Sequence, residues 1–549
     1  MPSLPRRPRV ILELDLTVAP VEVEPDDPLG KLRSRSRTRL RPVLRALHDA
    51  GDDPRVVGLV AKVGRSALSW TTMQELRAGV LAFRRSGKPT VAWAETFGDG
   101  GNGTVDVVLA SAFERVWLMP AGELGLLGVA SETTFLRGAL DKLGVEPQLH
   151  QRREYKNAAD RIMRTEFTPE HEQAVTELTG SIWNVAVDAI AEGRSLTPDE
   201  VRAAADRAPL GADDARRAGL VDALGHRDQV LADLRGRVGD DDATLLFADR
   251  WTPRRRPRLP QRNRKVVAMV EGHGAIVSGR SRGGAGGRRM GSDTVAAALR
   301  AAREDDAVAT VVFRVDSPGG SAVASDVVWR EVVLTREAGK PVIVSMGALA
   351  ASGGYYVACP ADVIVAEPAT LTGSIGVFGG KVVVADLLER VGLGTGAVSN
   401  GASSRMYSPR QRFSPDEERR LDEMLDRVYA DFVGKVAAGR GMSTDAVDAI
   451  ARGRVWSGID ASRNGLVDEL GGLREAVDIA RARAGLPGDA RVRAAVHVPP
   501  LARLSRPRNS EDPRAAATAS IAGAGLDDLL GAVGLNARAV LLMPDVRLR

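Results

Sequence analysis

Apolar and polar residues alternate in V-I-L-E-L-D-L-T-V, residues 10–18, which is the period of a half-buried β-strand. Short β-branched runs follow at 56–63 and 308–315, too short for helices and apolar almost throughout, and so predict strands covered on both faces. Longer amphipathic segments at 72–85, 322–337 and 415–438 predict helices, and a further apolar strand is expected at 342–346. Strands alternating with helices imply an α/β fold with mostly parallel sheets and right-handed crossovers. From about 498 the chain turns Pro-, Ala- and Gly-rich and then weakly amphipathic over 526–533, a pattern to which no role is assigned.

The pattern repeats. Gly87-Lys88-Pro89 recurs as Gly339-Lys340-Pro341, PAGELGLLGV at 120–129 as PATLTGSIGV at 368–377, Phe167-Thr168-Pro169-Glu170 as Phe413-Ser414-Pro415-Asp416, and GLVDALG at 219–225 as GLVDELG at 465–471. Four matches in one order argue for a duplicated domain.

Composition narrows the classes. At roughly 100–200 residues per domain, 549 residues make two to four domains. A single cysteine, Cys359, excludes an intramolecular disulfide and a Cys-rich zinc site. The 76 Lys and Arg are offset by 71 Asp and Glu, so the net charge of +5 gives no electrostatic footprint for nucleic acid. The Arg/Pro-rich stretch 251–265 reads as a solvated linker between the copies in preference to a phosphate- or lipid-binding strip. No run of about 18 apolar residues is present to span a bilayer, and the N-terminal run reads as a strand where a secretory signal would need a longer unbroken apolar core. The expected location is cytoplasmic, with peripheral membrane association as the alternative.

Residues present in only one copy are not demanded by the shared architecture, so the copies can be compared for chemistry. In the second copy an apolar strand runs into Ala351-Ser352-Gly353-Gly354-Tyr355-Tyr356, where the first copy reads Gly103-Thr104-Val105-Asp106. A serine followed by two glycines at a strand-to-helix transition can expose its hydroxyl beside free amides that receive an oxyanion. Upstream, Asp316-Ser317-Pro318-Gly319-Gly320 also follows a strand, and its glycines permit close approach of N–H groups to a carbonyl; the first copy has Val63-Gly64-Arg65-Ser66 there. A nucleophilic serine needs a base. None of the six histidines stands in a recognisable catalytic motif; His273 is the only one with a glycine on each side, and a desolvated lysine is the other available base.

The strings VDSPGGS, GKPVIVSMGALAASGGYYVA, TLTGSIGVFG and GRVWSGIDASRNGLVDELGG together resemble the signal peptide peptidase A family of serine proteases, within the Clp protease/crotonase superfamily. The duplication and the size are similar to its long, tandem-domain form, and the resemblance covers about residues 50–490. It implies two Clp protease/crotonase-like domains: 1–250 carrying a base lysine, the linker 251–265, 266–495 carrying the nucleophile, and an extension over 496–549. It implies Ser352 as nucleophile, Ser374 as the residue orienting the lysine, Gly319, Gly320 and Gly353 as oxyanion donors, and Lys156 of Glu154-Tyr155-Lys156-Asn157 as the base. No metal or organic cofactor is called for.

The register agrees: the offset that sets Pro120 against Pro368 sets Lys156 against Ser404, so each copy is incomplete and one site is expected from both. Two features depart from the long form: no N-terminal membrane anchor is read in the sequence, and the loop 278–291 is Gly/Arg-rich, favouring a flexible surface loop over a substrate gate. The expected activity is a Ser/Lys endopeptidase acting on short apolar peptides such as cleaved signal peptides, in a closed homo-oligomer. The alternatives are a cytoplasmic peptidase unrelated to secretion, a crotonase-like acyl-CoA enzyme and a non-catalytic scaffold.

Overall fold

The computed structural model describes residues 9–22, 37–64, 68–253, 264–281, 288–496 and 540–543. The centre of the Arg/Pro-rich linker, the middle of the 278–291 loop, His497 and the stretch 526–533 lie outside the described residues. The chain forms two compact units that do not follow chain order: one holds 1–130 and 180–260, the other 131–179 and 261–548. A boundary near 250 therefore misses 131–179, which packs with the second repeat copy. The physical reason is pairing. The strand Glu146–Gln151 finds its antiparallel partner in Phe378–Val383, and Leu149, Ala159 and Ile162 share a small core with Phe378.

In the first unit, a six-stranded sheet runs in the order Ala223–Leu224, Arg115–Leu118, Thr90–Ala94, Val56–Val63, Val10–Asp15, Thr244–Phe247, and every pairing is parallel. Val56–Val63 is buried on both faces at every position but Lys62, which is partly exposed and ion-paired with Glu95, in keeping with its nearly unbroken apolar pattern.

The second unit carries the larger sheet. Its central strands Val266–His273, Val308–Ser317, Val342–Ala351 and Val363–Ala366 are parallel neighbours, and Leu371–Gly373 extends beside the far end of Val342–Ala351. The helix Ala322–Glu337 has the bounds its periodicity predicts, because the Ser321 side chain accepts from the Ala324 N–H and starts it. Pro415–Arg440 opens on a Ser414/Glu417 capping box and stops at Gly441 in the left-handed region. The strand expected at 342–346 continues to Ala351, since Leu349–Ala351 pairs with Leu371–Gly373. That continuation brings two sequence motifs to one level.

A smaller sheet of the same unit runs Arg289–Gly291, Ala275–Val277, Gly319–Ser321, Val540–Leu542, Phe378–Val383, Glu146–Gln151. The architecture is α/β with mainly parallel sheets. No helix among the described residues is long and apolar enough to cross a membrane.

Candidate active site

Ser352 ends the strand Val342–Ala351 and caps the short helix Gly353–Ala358. It is fully buried and held at φ 55°, a left-handed conformation that a serine occupies only when its surroundings impose it, at a cost of about 1–3 kcal/mol. Three contacts impose it. The Ser352 N–H donates to the Gly373 carbonyl (2.8 Å), its own carbonyl accepts from the Tyr356 N–H (2.8 Å), and the two following glycines lie against the preceding loop. A Cβ on Gly353 would stand 3.1 Å from the Gly320 nitrogen and 2.8 Å from Ser325 Oγ, and one on Gly354 would stand 2.6 Å from the Ser317 carbonyl oxygen. The double glycine is thus a requirement of close approach, which sets Gly353 against the Gly320 nitrogen.

The tyrosines of the same motif anchor the helix. Tyr355 donates to the Leu466 carbonyl (2.9 Å), and the Tyr356 hydroxyl lies between Asp431 (2.6 Å) and Asp326 (3.1 Å), with Lys435 beside it. Cys359, the chain's one thiol, is buried one turn on, and burial pushes it up to about 12, so it is no competing nucleophile.

Ser374 follows Gly373 on the adjacent strand, also fully buried and at positive φ (49°), its N–H donating to the Arg454 carbonyl (2.7 Å). Lys156 arrives from the 131–179 segment of the same unit. Beyond the Glu146–Gln151 pairing, the Arg152 N–H donates to the Val377 carbonyl (2.9 Å) and the Tyr155 N–H to the Arg452 carbonyl (3.1 Å), while Glu154 is ion-paired with Arg452 (2.7 Å). So delivered, Lys156 Nζ lies 2.9 Å from Ser352 Oγ, 2.9 Å from Ser374 Oγ and 3.0 Å from the Ser374 carbonyl oxygen. The side chain is completely buried, and its partners are three neutral oxygens. Burial holds its ammonium well below the usual 10.5, because nothing compensates the charged form for lost water. Ser404, its register match, is exposed.

The structure therefore brings together Lys156, Ser352, Ser374, Gly320 and Gly353. Gly319 departs from its expected role: its N–H donates to Ser317 Oγ (3.1 Å), so that amide is already engaged, and its φ of 99° serves the turn instead. Of the described histidines, His273 Nε2 lies 3.5 Å from Glu271, His171 pairs with Asp160 and His150 with Asp422. Among the described residues, no group of three or more His, Cys, Asp or Glu is arranged to hold a metal ion.

Sequence reasoning missed Gly453. At φ 86° it lies against the lysine backbone, where a Cβ would be 2.5 Å from the Lys156 nitrogen and 2.6 Å from its Cα. Neither contact can be relieved by a side-chain movement. Gly453→Ala is expected to push the lysine out of line and lower kcat/KM by about 10²-fold or more. Steady-state assays alongside a thermal melt check this, and activity within twofold of wild type with an intact melt would contradict it. The signal was present, since Gly453 opens the quoted string GRVWSG, but nothing local marks its neighbour.

The model of peptidase family S49 matches residues 82–239 and 335–487, one stretch in each repeat copy. The chain belongs to peptidase family S49. Within family S49, it is 30% identical over 471 residues to "Serine protease SPPA, chloroplastic" of Arabidopsis thaliana, covering 84% of this chain and 67% of that protein. It is 32% identical to "Protease 4" of Salmonella typhi, with 79% and 70% covered, and 32% identical to "Protease 4" of Haemophilus influenzae, with 79% and 71% covered. The two matched stretches agree with the tandem duplication read from the repeats.

Proposed function

We propose that this family S49 peptidase is a serine endopeptidase with a Ser352/Lys156 dyad, and that it cleaves short apolar peptides of the kind left by signal-peptide removal. The observation that carries this reading is the 2.9 Å separation of Lys156 Nζ and Ser352 Oγ in a fully buried setting. A neutral amine there accepts the hydroxyl proton as Oγ attacks the scissile carbonyl. The amides of Gly320 and Gly353 donate to the tetrahedral oxyanion. The resulting ammonium returns its proton to the leaving amine, and a water activated by the same lysine then releases the acyl group.

Ser374 aims the amine by accepting two of its N–H bonds at Oγ and the main-chain carbonyl. Ser374→Ala keeps the carbonyl and loses the hydroxyl, so a fall of roughly 10²-fold in kcat is expected with the fold retained. A loss equal to that of Ser352→Ala would mean that the nucleophile is misassigned. The reading as a whole is tested by incubating the wild-type chain and Ser352→Ala with a mixed peptide library and reading the products by mass spectrometry. Apolar cleavage sites confined to the wild-type digest are expected; no cleavage, or equal cleavage by both, would overturn it.

A further inference from the structure

The lysine-bearing segment meets a charged helix face on its way to the site. Strand geometry sets every second side chain on one face, so Gln148, His150 and Arg152 share one, while residues 422, 426 and 429 of the helix Pro415–Arg440 share another at helical spacing. The two faces meet. Gln148 Oε1 accepts the Phe413 N–H (2.9 Å), and His150 Nδ1 lies 2.8 Å from Asp422 Oδ1. The Arg152 guanidinium, on a side chain only 18% exposed, spans the carboxylates of Asp422 (2.8 Å) and Asp426 (2.5 Å), one helical turn apart. Burial pushes Asp422 up, but Arg152 and His150 outweigh it and hold the carboxyl below its usual range.

The next residue turns the chain. Arg153 stands at φ 70°, in the left-handed region, with its guanidinium 5.1 Å from the centre of the Tyr429 ring and its Nε 3.5 Å from Asp448. The other repeat copy does without these features. The offset that sets Lys156 against Ser404 sets Arg153 against Gly401, which is also at positive φ (93°), so the turn is one that glycine fills without strain. The offset that sets Phe167 against Phe413 sets Thr176 and Gly180 against Asp422 and Asp426. The acids thus stand in the copy that receives the lysine, and the arginines in the turn that brings it. An arginine at a position suited to glycine carries backbone strain that its contacts have to offset.

We propose that Arg152 and Arg153 are positioning residues for the dyad: by gripping Asp422, Asp426, Tyr429 and Asp448 they hold the turn that carries Lys156 in place, and so set the fraction of molecules in which the amine stands at Ser352. This rests on the peptidase reading above, with Lys156 as base, and adds to it an ionic seam outside the site on which the rate depends. A loosened turn leaves Ser352 and the glycine amides where they are, so kcat follows the docked fraction while KM stays.

Charge reversal and repair in the full chain test this. Arg152→Glu and Asp426→Arg should each lower kcat on apolar peptides by about tenfold with KM within about twofold, and the two together, which restore the pair in reverse, should recover kcat to within about threefold of wild type. Arg153→Gly suits the left-handed turn, so it should melt close to wild type and still lose roughly fivefold in kcat. Amide exchange in a Ser352→Ala background follows the turn without catalysis. The Arg152 and Tyr155 N–H groups, bonded to the Val377 and Arg452 carbonyls, should exchange about tenfold faster with Arg152→Glu and slow again with the reversed pair. Wild-type kcat and exchange in Arg152→Glu overturn the proposal, as does a loss that the reversed pair leaves unrepaired. If Arg152→Glu melts early, Arg153→Gly decides, and a wild-type melt with wild-type kcat overturns it. Exchange that quickens and is repaired while no Ser352 chain cleaves peptides keeps the seam and overturns the peptidase reading.

Discussion

Ser352→Ala and Lys156→Ala should each lower kcat/KM on apolar peptides by about 10⁴-fold or more, and the double variant should be little worse than either. The near-absence of additivity follows from the geometry: with Oγ and Nζ 2.9 Å apart, the hydroxyl has no other base at hand and the amine no other proton to take. Removing one leaves the other idle. The residual rate comes from the Gly320 and Gly353 amides and from binding, which neither substitution touches. Kinetics on one fluorogenic apolar peptide, with the three variants side by side, check this. Substantial activity in Lys156→Ala would require another base, and His273, 3.5 Å from Glu271, would be the first to test.

The second large effect is on pH dependence, and it couples activity to stability. Desolvation holds the folded-state ionisation of Lys156 below 10.5, so kcat/KM should rise with pH through that lowered ionisation, falling about tenfold for each unit below it. The unfolded chain keeps an ordinary lysine. Between the lowered folded value and 10.5, unfolding therefore takes up a proton, and wild-type stability increases as pH rises across that window. Each unit of lowering costs the folded state about 1.4 kcal/mol at pH values below the window. Lys156→Met keeps the stem and discards the charge, so it should be inactive, more stable than wild type at neutral pH, and free of that slope. Urea midpoints from pH 6 to 10 for the two proteins measure this; parallel curves would mean that the lysine is charged when folded.

Much of this site was legible because its parts lie on consecutive elements with local signatures. Ser352 and Ser374 sit at strand ends where small residues permit positive φ, and Gly353 and Gly354 announce a close approach that the Gly320 nitrogen and the Ser317 carbonyl supply. Lys156 was readable from the resemblance and from the register, in which each copy lacks what the other holds. That 131–179 packs with the second copy was not readable, since strand pairing between Glu146–Gln151 and Phe378–Val383 depends on backbone groups that every sequence carries. Residues 540–543 escaped for the same reason, their partners being backbone groups of Pro318, Ser321 and neighbouring positions. Gly319 was assigned as an oxyanion donor from the resemblance, which does not show that its N–H is engaged by Ser317 Oγ. Gly453 stands in one of the family strings, but its requirement is set by a backbone far upstream that no local pattern names.

The central claim, that neutral Lys156 makes Ser352 nucleophilic, is tested most directly by the rate at which a fluorophosphonate labels Ser352, followed by intact mass from pH 6 to 10 in wild type and Lys156→Met. The account predicts a wild-type rate that climbs through a single ionisation below 10.5, and a Lys156→Met rate slower by about 10³-fold or more and without that ionisation. Labelling of Lys156→Met at the wild-type rate, with the wild-type pH profile, would contradict it.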